Sequence, residues 1–281
     1  KRDYLKAKEY YELSGNQNNS LALNSLGELY YYGKGVEQDY NKAREYFELS
    51  SKQNDSDALF YLGNLYYYGY GVKRDYNKAK EYFELSSKQN HSDSLLHLGD
   101  LYLNGNGVTK DYSLAKKYFE LAAENINSYA LLNLGNLYKN GYGVKQDYLK
   151  AKEYYELSAI EQNSDAFLYL GHLYFYGEGV EQDYLKAKEY YESSAKRNNS
   201  ESLFHLGNLY YKGKGVKQDY LKAKIYFENA AKQNHSEALF YLSCIHLDIE
   251  PFFNLSKAIK YLLRCYQIHF NETKNQTYSS Y

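Results

Sequence analysis

SDALFYLGNLYYYGYGVKRDYNKAKEYFELSSKQNH, residues 56–91, is one unit of a pattern that runs through the chain. In its first half Ala58, Leu59, Leu62, Leu65 and Tyr66 fall at i, i+1, i+4, i+7 and i+8, the apolar stripe of an amphipathic helix. Ser56 is the expected N-cap. Gly69 is the expected stop, because a residue without Cβ accepts the positive φ of a helix C-cap. We call this helix A. In the second half Asp75 caps another helix, and its carboxylate also suits the positive helix end. Ala79, Tyr82, Phe83, Ser86 and Ser87 form the stripe of this helix B. Lys78, Lys80, Glu81 and Glu84 fall largely outside it, as a solvated face. No stretch alternates with period two, so no strand is expected.

The same unit recurs on both sides. Gly-x-Gly stands at Gly33/Gly35, Gly69/Gly71, Gly105/Gly107, Gly141/Gly143, Gly177/Gly179 and Gly213/Gly215, always 36 residues apart. A valine follows each pair, from Val36 to Val216, and Asp-Tyr recurs from Asp3-Tyr4 to Asp219-Tyr220. Gly27 and its echoes through Gly207 sit inside helix A, at about 1 kcal/mol of helix propensity each. A cost repeated that often implies helices too close for a side chain. Ala43 and its echoes imply a second close contact. One helix pair cannot bury both stripes, whereas stacked neighbours can. The fold class is therefore all-α, a solenoid of about seven 36-residue helix-turn-helix repeats.

The array is expected over 1–269, with a truncated first repeat at 1–19, six full repeats at 20–235 and a degenerate capping repeat at 236–269. In the last of these Ser243 replaces the helix glycine, His246 replaces the tyrosine, and Ile249-Glu250-Pro251 replaces the glycine loop. Residues 270–281 read as a polar, frayed tail. The chain opens directly in a B helix and has no Met, so more chain is expected before Lys1.

Composition excludes several functions. Lys and Arg number 34 against 35 Asp and Glu, which argues against a broad nucleic-acid surface. No apolar run reaches the roughly 20 residues of a membrane span. The glycine loops follow helices rather than strands and lack Gly-Lys-Ser/Thr, so they read as turn geometry and not as phosphate cradles. No two histidines lie at i, i+4, and no nucleophile–base arrangement stands out, so no metal, cofactor or catalysis is expected. Cys244 and Cys265 come out about 12 Å apart on an antiparallel pair, too far for a disulfide. Reduced thiols point to the cytoplasm. Asn-x-Ser/Thr occurs at Asn18, Asn54, Asn90, Asn198, Asn234, Asn254, Asn271 and Asn275. Glycans there would move the protein to the secretory route, but five of these motifs simply join an inter-repeat Asn to the Ser that opens helix A.

The pattern Ala-x-x-x-Leu-Gly-x-Leu-Tyr-x-x-Gly-x-Gly-Val-x-x-Asp-x-x-x-Ala-x-x-Tyr-Phe stands almost complete at Ala58–Phe83 and again at Ala166–Tyr191. It resembles the Sel1-like repeat family, relatives of the tetratricopeptide repeats. The resemblance implies a right-handed α/α superhelix acting as a non-catalytic protein-interaction scaffold or adaptor. It also implies an alternative, the regulatory or targeting arm of a kinase or of a ubiquitin-ligase complex in membrane-protein degradation.

Framework columns absorb most of the 39 tyrosines. One face of helix A varies instead. Its four columns start at Leu21, Ser25, Glu28 and Tyr32. The second reads Ser25, Tyr61, His97, Asn133, Tyr169, His205, Tyr241. The third reads Glu28, Asn64, Asp100, Asn136, His172, Asn208, Cys244. In related solenoids helix A lines the concave side. The expected partner-binding residues are Tyr32, Tyr61, Tyr68, His97, Asn133, Asn136, Tyr169, His172, Tyr176, His205, Asn208 and Tyr241, a groove for a protein or peptide. Tyrosine suits such a groove because it offers large contact area at small entropic cost.

Overall fold

Each repeat folds as the helix pair its two stripes require. A computed structural model describes residues 3–250 and 252–279, with side-chain surroundings through residue 271. The expectation attached to Lys1, the Pro251 of the cap loop and the last two tail residues lie outside them. The described residues form fifteen helices and no strand, in two compact units, Lys1–Gln146 and Asp147–Tyr281.

The first unit holds α1 (Tyr4–Gly15), α2 (Ser20–Tyr32), α3 (Tyr40–Ser51), α4 (Ser56–Tyr68), α5 (Tyr76–Ser87), α6 (Ser92–Asn104), α7 (Tyr112–Glu124) and α8 (Ser128–Asn140). The second holds α9 (Tyr148–Ile160), α10 (Ser164–Tyr176), α11 (Tyr184–Ala195), α12 (Ser200–Lys212), α13 (Tyr220–Lys232), α14 (Ser236–Asp248) and α15 (Leu255–Ser279). Even-numbered helices are A and odd-numbered ones B. Within each unit every helix packs on its neighbours in sequence.

The helix starts correct the sequence reading by one residue. The cap of α4 is Asp55, whose Oδ1 accepts from the Ala58 amide at 2.9 Å, and Ser56 is already helical. Asn19, His91, Asn127, Asn163, Asn199 and His235 cap the other A helices. Asp, Asn and Ser are nearly equal caps, so adjacent ones could not be ranked from sequence. Before each cap stands a residue in the left-handed region. It is the sequon Asn at Asn18, Asn54, Asn90, Asn198 and Asn234, and elsewhere Ile126 or Gln162.

The glycine pair divides its labour. Gly69, at φ 77°, ends α4 and donates its amide to Leu65 O. Gly71 is also left-handed, and a Cβ there would stand 2.8 Å from Tyr40 Cβ of the preceding B helix. The helix-interior glycines serve contact. A Cβ on Gly27 would overlap the Phe47 ring, and one on Gly63 the Phe83 ring.

These contacts build the cores. In the first unit Phe47 packs with Ala43, Ala58, Leu62 and Leu65, and Phe83 with Ala79, Leu98 and Leu101. In the second, Tyr191 and Phe227 take the same place among Ala187, Leu206, Leu209 and among Ala223, Leu239, Leu242. Buried Ser86 on B donates from Oγ to Ser56 O at 2.7 Å, which satisfies a polar atom inside the core.

The last helix departs from expectation. It is helical to Ser279, where a frayed tail from residue 270 was expected, because no Gly or Pro after Leu255 stops it. The outer face of this terminal repeat is also apolar, with Leu255, Ile259, Leu262, Leu263, Tyr266 and Phe270 exposed. Neither cysteine is in a disulfide, and Cys265 Sγ lies 3.4 Å from Ser236 O.

Candidate partner-binding face

Where it is aromatic, the second A column packs on the B-helix aromatic of the preceding repeat, stacked in four pairs and tilted by 41° at Phe83–His97. Ring centroids are 4.8 Å apart for Phe47–Tyr61, 4.9 Å for Phe83–His97, 5.3 Å for Tyr155–Tyr169, 5.0 Å for Tyr191–His205 and 5.2 Å for Phe227–Tyr241. The interval is always 14 residues. In these five pairs the next repeat covers the B ring, so this A column belongs in part to the framework. His205 is 8% exposed.

The third column reaches across to the second column of the next repeat. Asn133 Nδ2 donates to Asp100 Oδ1 at 3.3 Å, and His172 Nε2 lies 3.0 Å from His205 Nε2. Two imidazole nitrogens at that distance share one proton, one ring donating and the other accepting. The fourth column is open: Tyr32 and Tyr68 are each 48% exposed and Tyr176 56%. Tyr32 and Tyr61 hydroxyls are 3.3 Å apart, and Tyr68 stacks on Tyr70. Tyr176 meets the His172 edge.

Electrostatics differ along the face. Burial pushes the Asp100 carboxyl up to about 6. Burial also raises Glu28, against Lys34 nearby, and Glu28 accepts from Asn24 Nδ2 at 3.0 Å. A cavity of about 410 Å³ opens at Glu28, bounded by Asp3, Tyr4, Tyr11, Ser25 and Lys34. Burial lowers His97, and its Nδ1 donates to Asp93 O at 2.8 Å. Asn64 is buried at 6% exposure, and its Oδ1 has no hydrogen-bond partner, nor has that of Asn208. Asn136 O accepts from Asn140 Nδ2. Glu201 lies between His205 Nε2 at 3.2 Å and His235 Nε2 at 3.1 Å, and these rings hold its carboxyl well below the usual range.

The structure thus separates the twelve expected residues. Tyr61, His97, Tyr169, His205 and Tyr241 pack against the B-helix aromatics, Asn133 and His172 reach across to a neighbouring repeat, Asn136 and Asn208 share the third column, and Tyr32, Tyr68 and Tyr176 are the most exposed. Glu28, Asn64 and Asp100 belong with them and were not singled out from sequence. Their signal was membership of the third column. Among the described residues no group of three or more His, Cys, Asp or Glu could hold a metal, and no helix is long and apolar enough to cross a membrane.

The Sel1 repeat model matches residues 1–19, 20–55, 56–91, 92–127, 128–163, 164–199 and 200–235, and the chain belongs to the Sel1 repeat family. No curated protein matches it. Among solved structures it is similar to c5321, a protective antigen of uropathogenic Escherichia coli strains with an SLR fold. The identity is 29% and the TM-score 0.80, over 92% of this chain and 56% of that one. The chain therefore spans little more than half of that protein. It is also similar to a Sel1 repeat protein from Oxalobacter formigenes, at 34% identity and TM-score 0.73 over 77% of this chain and 89% of that one. The immunity protein Pa5087 of Pseudomonas aeruginosa, 21% identical over 76% of this chain and 81% of its own with TM-score 0.52, shares the fold. Proteins built from Sel1 repeats generally act as protein-interaction scaffolds and are typically non-catalytic.

Proposed function

We propose that the chain is a non-catalytic scaffold or adaptor that holds a partner protein or peptide along the face of its A helices. The observation that supports this most is the unequal use of that face. Its second column belongs in part to the framework, while Tyr32, Tyr68 and Tyr176 leave about half of each ring in solvent at one register. Large rings held on rigid helices provide contact area without much loss of rotamer freedom on binding. The test replaces Tyr32, Tyr68 and Tyr176 together by Ala. Capture of partners by the triple variant should fall at least tenfold with far-UV circular dichroism unchanged. Undiminished capture would dispose of this face.

The compartment is proposed as cytoplasmic. Five of the sequon asparagines serve the left-handed turn before an A helix, which accounts for their recurrence without glycans. Enzymatic deglycosylation of native protein should leave its mass unchanged. A mass loss would move the chain to the secretory route.

A further inference from the structure

The helix α15 breaks a rule that the other B helices keep. In α1, α3, α5, α7, α9, α11 and α13 a basic residue pairs with a glutamate four positions later, from Lys8–Glu12 at 2.7 Å to Lys224–Glu228 at 3.8 Å. In α1 and α5 this lysine also feels two tyrosines of the following repeat, so the pair stands on the side where the array continues. The register of α15 is fixed by its cap. Asn254 Oδ1 accepts from the Lys257 amide, and Ala258, four residues on, is buried like Ala43 and Ala223 four residues after their caps. That register puts Ile259 and Leu263 where the other seven helices carry the ion pair. Leu262 takes the column of Phe47 and Phe227, which are fully buried, yet it is 39% exposed. A further repeat of the same kind meets an ion pair at these positions. Two aliphatic side chains there call for an apolar occupant of a different kind.

The spacing of the exposed side chains names that occupant. Leu255, Ile259, Leu262, Leu263, Tyr266 and Phe270 are all exposed. At 3.6 residues per turn they share one stripe about 100° wide. Tyr261, Cys265 and Ile268 turn the other way, onto the core. The stripe also outruns the repeat. α15 has 25 residues where the other B helices have 12 or 13. Cys265 already stands at Ser236, the first residue of α14, so the turn that carries Phe270 lies beyond that helix. Tyr266 and Phe270 stack there, with ring centroids 6.3 Å apart. Along the stripe the intervals are 4, 3, 1, 3 and 4 residues, the same from either end. Its midpoint falls between Leu262 and Leu263. A two-fold axis through that point sets Leu255 of one helix against Phe270 of an antiparallel second copy, Ile259 against Tyr266, and Leu262 against Leu263. A two-fold interface has to be self-complementary, and this stripe is. The six residues expose on the order of 600 Å² per copy, so pairing covers about 1,200 Å², the area at which specific interfaces begin.

We propose that the chain forms a two-fold dimer in which the α15 helices of two copies pack antiparallel about a midpoint between Leu262 and Leu263. The A-helix face takes no part in this contact, so the dimer stands or falls independently of the scaffold reading. Joined to that reading, it places two A faces on one particle.

The test is sedimentation equilibrium of the full chain up to about 100 µM, where an interface of this size should be populated. The expected result is twice the mass of the chain at the upper end. Ile259→Lys with Leu263→Glu installs the ion pair of the other B helices, so the helix should keep its fold while dimerisation weakens at least tenfold. Tyr266→Lys, a second variant at an exposed position, should weaken it as well. Direction is read by disulfide cross-linking in a background of Cys244→Ser and Cys265→Ser. Leu255→Cys chains mixed with Phe270→Cys chains should cross-link on oxidation. Leu255→Cys chains alone should not, because equal positions lie about 22 Å apart along the antiparallel pair. A parent chain that stays monomeric would overturn the proposal and leave the stripe to a further helix of the chain or to a different protein. A dimer that both surface variants leave intact, or cross-linking of Leu255→Cys chains alone, would overturn it too.

Discussion

The Tyr61 ring lies 4.8 Å from that of Phe47 and 8° from parallel, and Phe47 also packs so close to Gly27 that a Cβ there would overlap its ring. Three residues from successive helices thus pack together, Gly27 on α2, Phe47 on α3 and Tyr61 on α4. The same arrangement returns as Gly171–Tyr191–His205 and Gly207–Phe227–Tyr241, and, with the two rings tilted by 41°, as Gly63–Phe83–His97. It ties the mid-helix glycine, the B-helix aromatic and the variable A column into one packing unit.

Gly63→Ala should destabilise the protein although alanine is the better helix former by about 1 kcal/mol. The added Cβ meets the Phe83 ring, which Ala79 and Leu98 leave no room to retreat. Overpacking of this kind costs about 1–3 kcal/mol. Urea denaturation would show it, and a stabilised variant would refute the close contact.

Tyr61→Ala and Tyr68→Ala should differ sharply in stability. The first uncovers Phe47 and removes a large stacked ring, at a cost of about 3 kcal/mol. The second removes an exposed ring and should stay within about 0.5 kcal/mol of the parent. Chemical denaturation of the two side by side separates framework from recognition surface.

His91 has two duties. Its Nδ1 accepts the Ser94 amide at 3.2 Å as the helix cap, and its Nε2–H donates to Asp57 Oδ1 at 3.0 Å, joining the starts of α4 and α6. Asn127 and Asn199 do the same through Oδ1 and Nδ2. His91→Asn should therefore be close to neutral, and His91→Ala should cost about 1 kcal/mol. A loss from Asn as large as that from Ala would show that the imidazole itself is needed.

Ile126 holds φ at 56°, where the sequon asparagines stand in other repeats. A β-branched residue in the left-handed region is strained by about 1–2 kcal/mol. Its side chain is 63% exposed, so little packing is lost on replacement. Ile126→Asn should raise stability by about 1 kcal/mol, read as an increase in the urea midpoint.

Asp100 gives a signed pH effect. Its folded carboxyl titrates near pH 6, above its ordinary 3.8. The folded state therefore binds the proton more tightly. The contribution of Asp100 to stability is fully present below pH 3.8 and is lost as pH rises through 6. Asp100→Asn should be more stable than the parent at pH 7.5, by of order 2 kcal/mol, and the difference should shrink towards pH 4. A difference that does not change with pH would place the carboxylate in water.

The 36-residue period, the two stripes and the αL glycine after six of the A helices were legible in the sequence, because they depend on spacing and on which residues tolerate a given φ. The mid-helix glycines announced a close contact, but which ring filled it depended on how the helices cross. Ser56 looked like the cap, and the backbone chose Asp55, since local chemistry alone does not rank two good caps side by side. The variable A columns could be listed as a face. Their division into a column packed on the B aromatics, a polar column and an open tyrosine edge could not, because that depends on what the next repeat covers.

Repetition in the chain therefore determined the helices, their order and the all-α solenoid class without reference to any contact. Tertiary packing alone decided that Tyr61 and His205 belong largely to the framework, and that Asp100 and Asn64 carry the charge and the unpaired acceptor of the face. The physical reason is that periodicity records what each helix buries, whereas burial of a polar group, and the pKa or orphaned lone pair that follows, is set by residues 30 or more positions away.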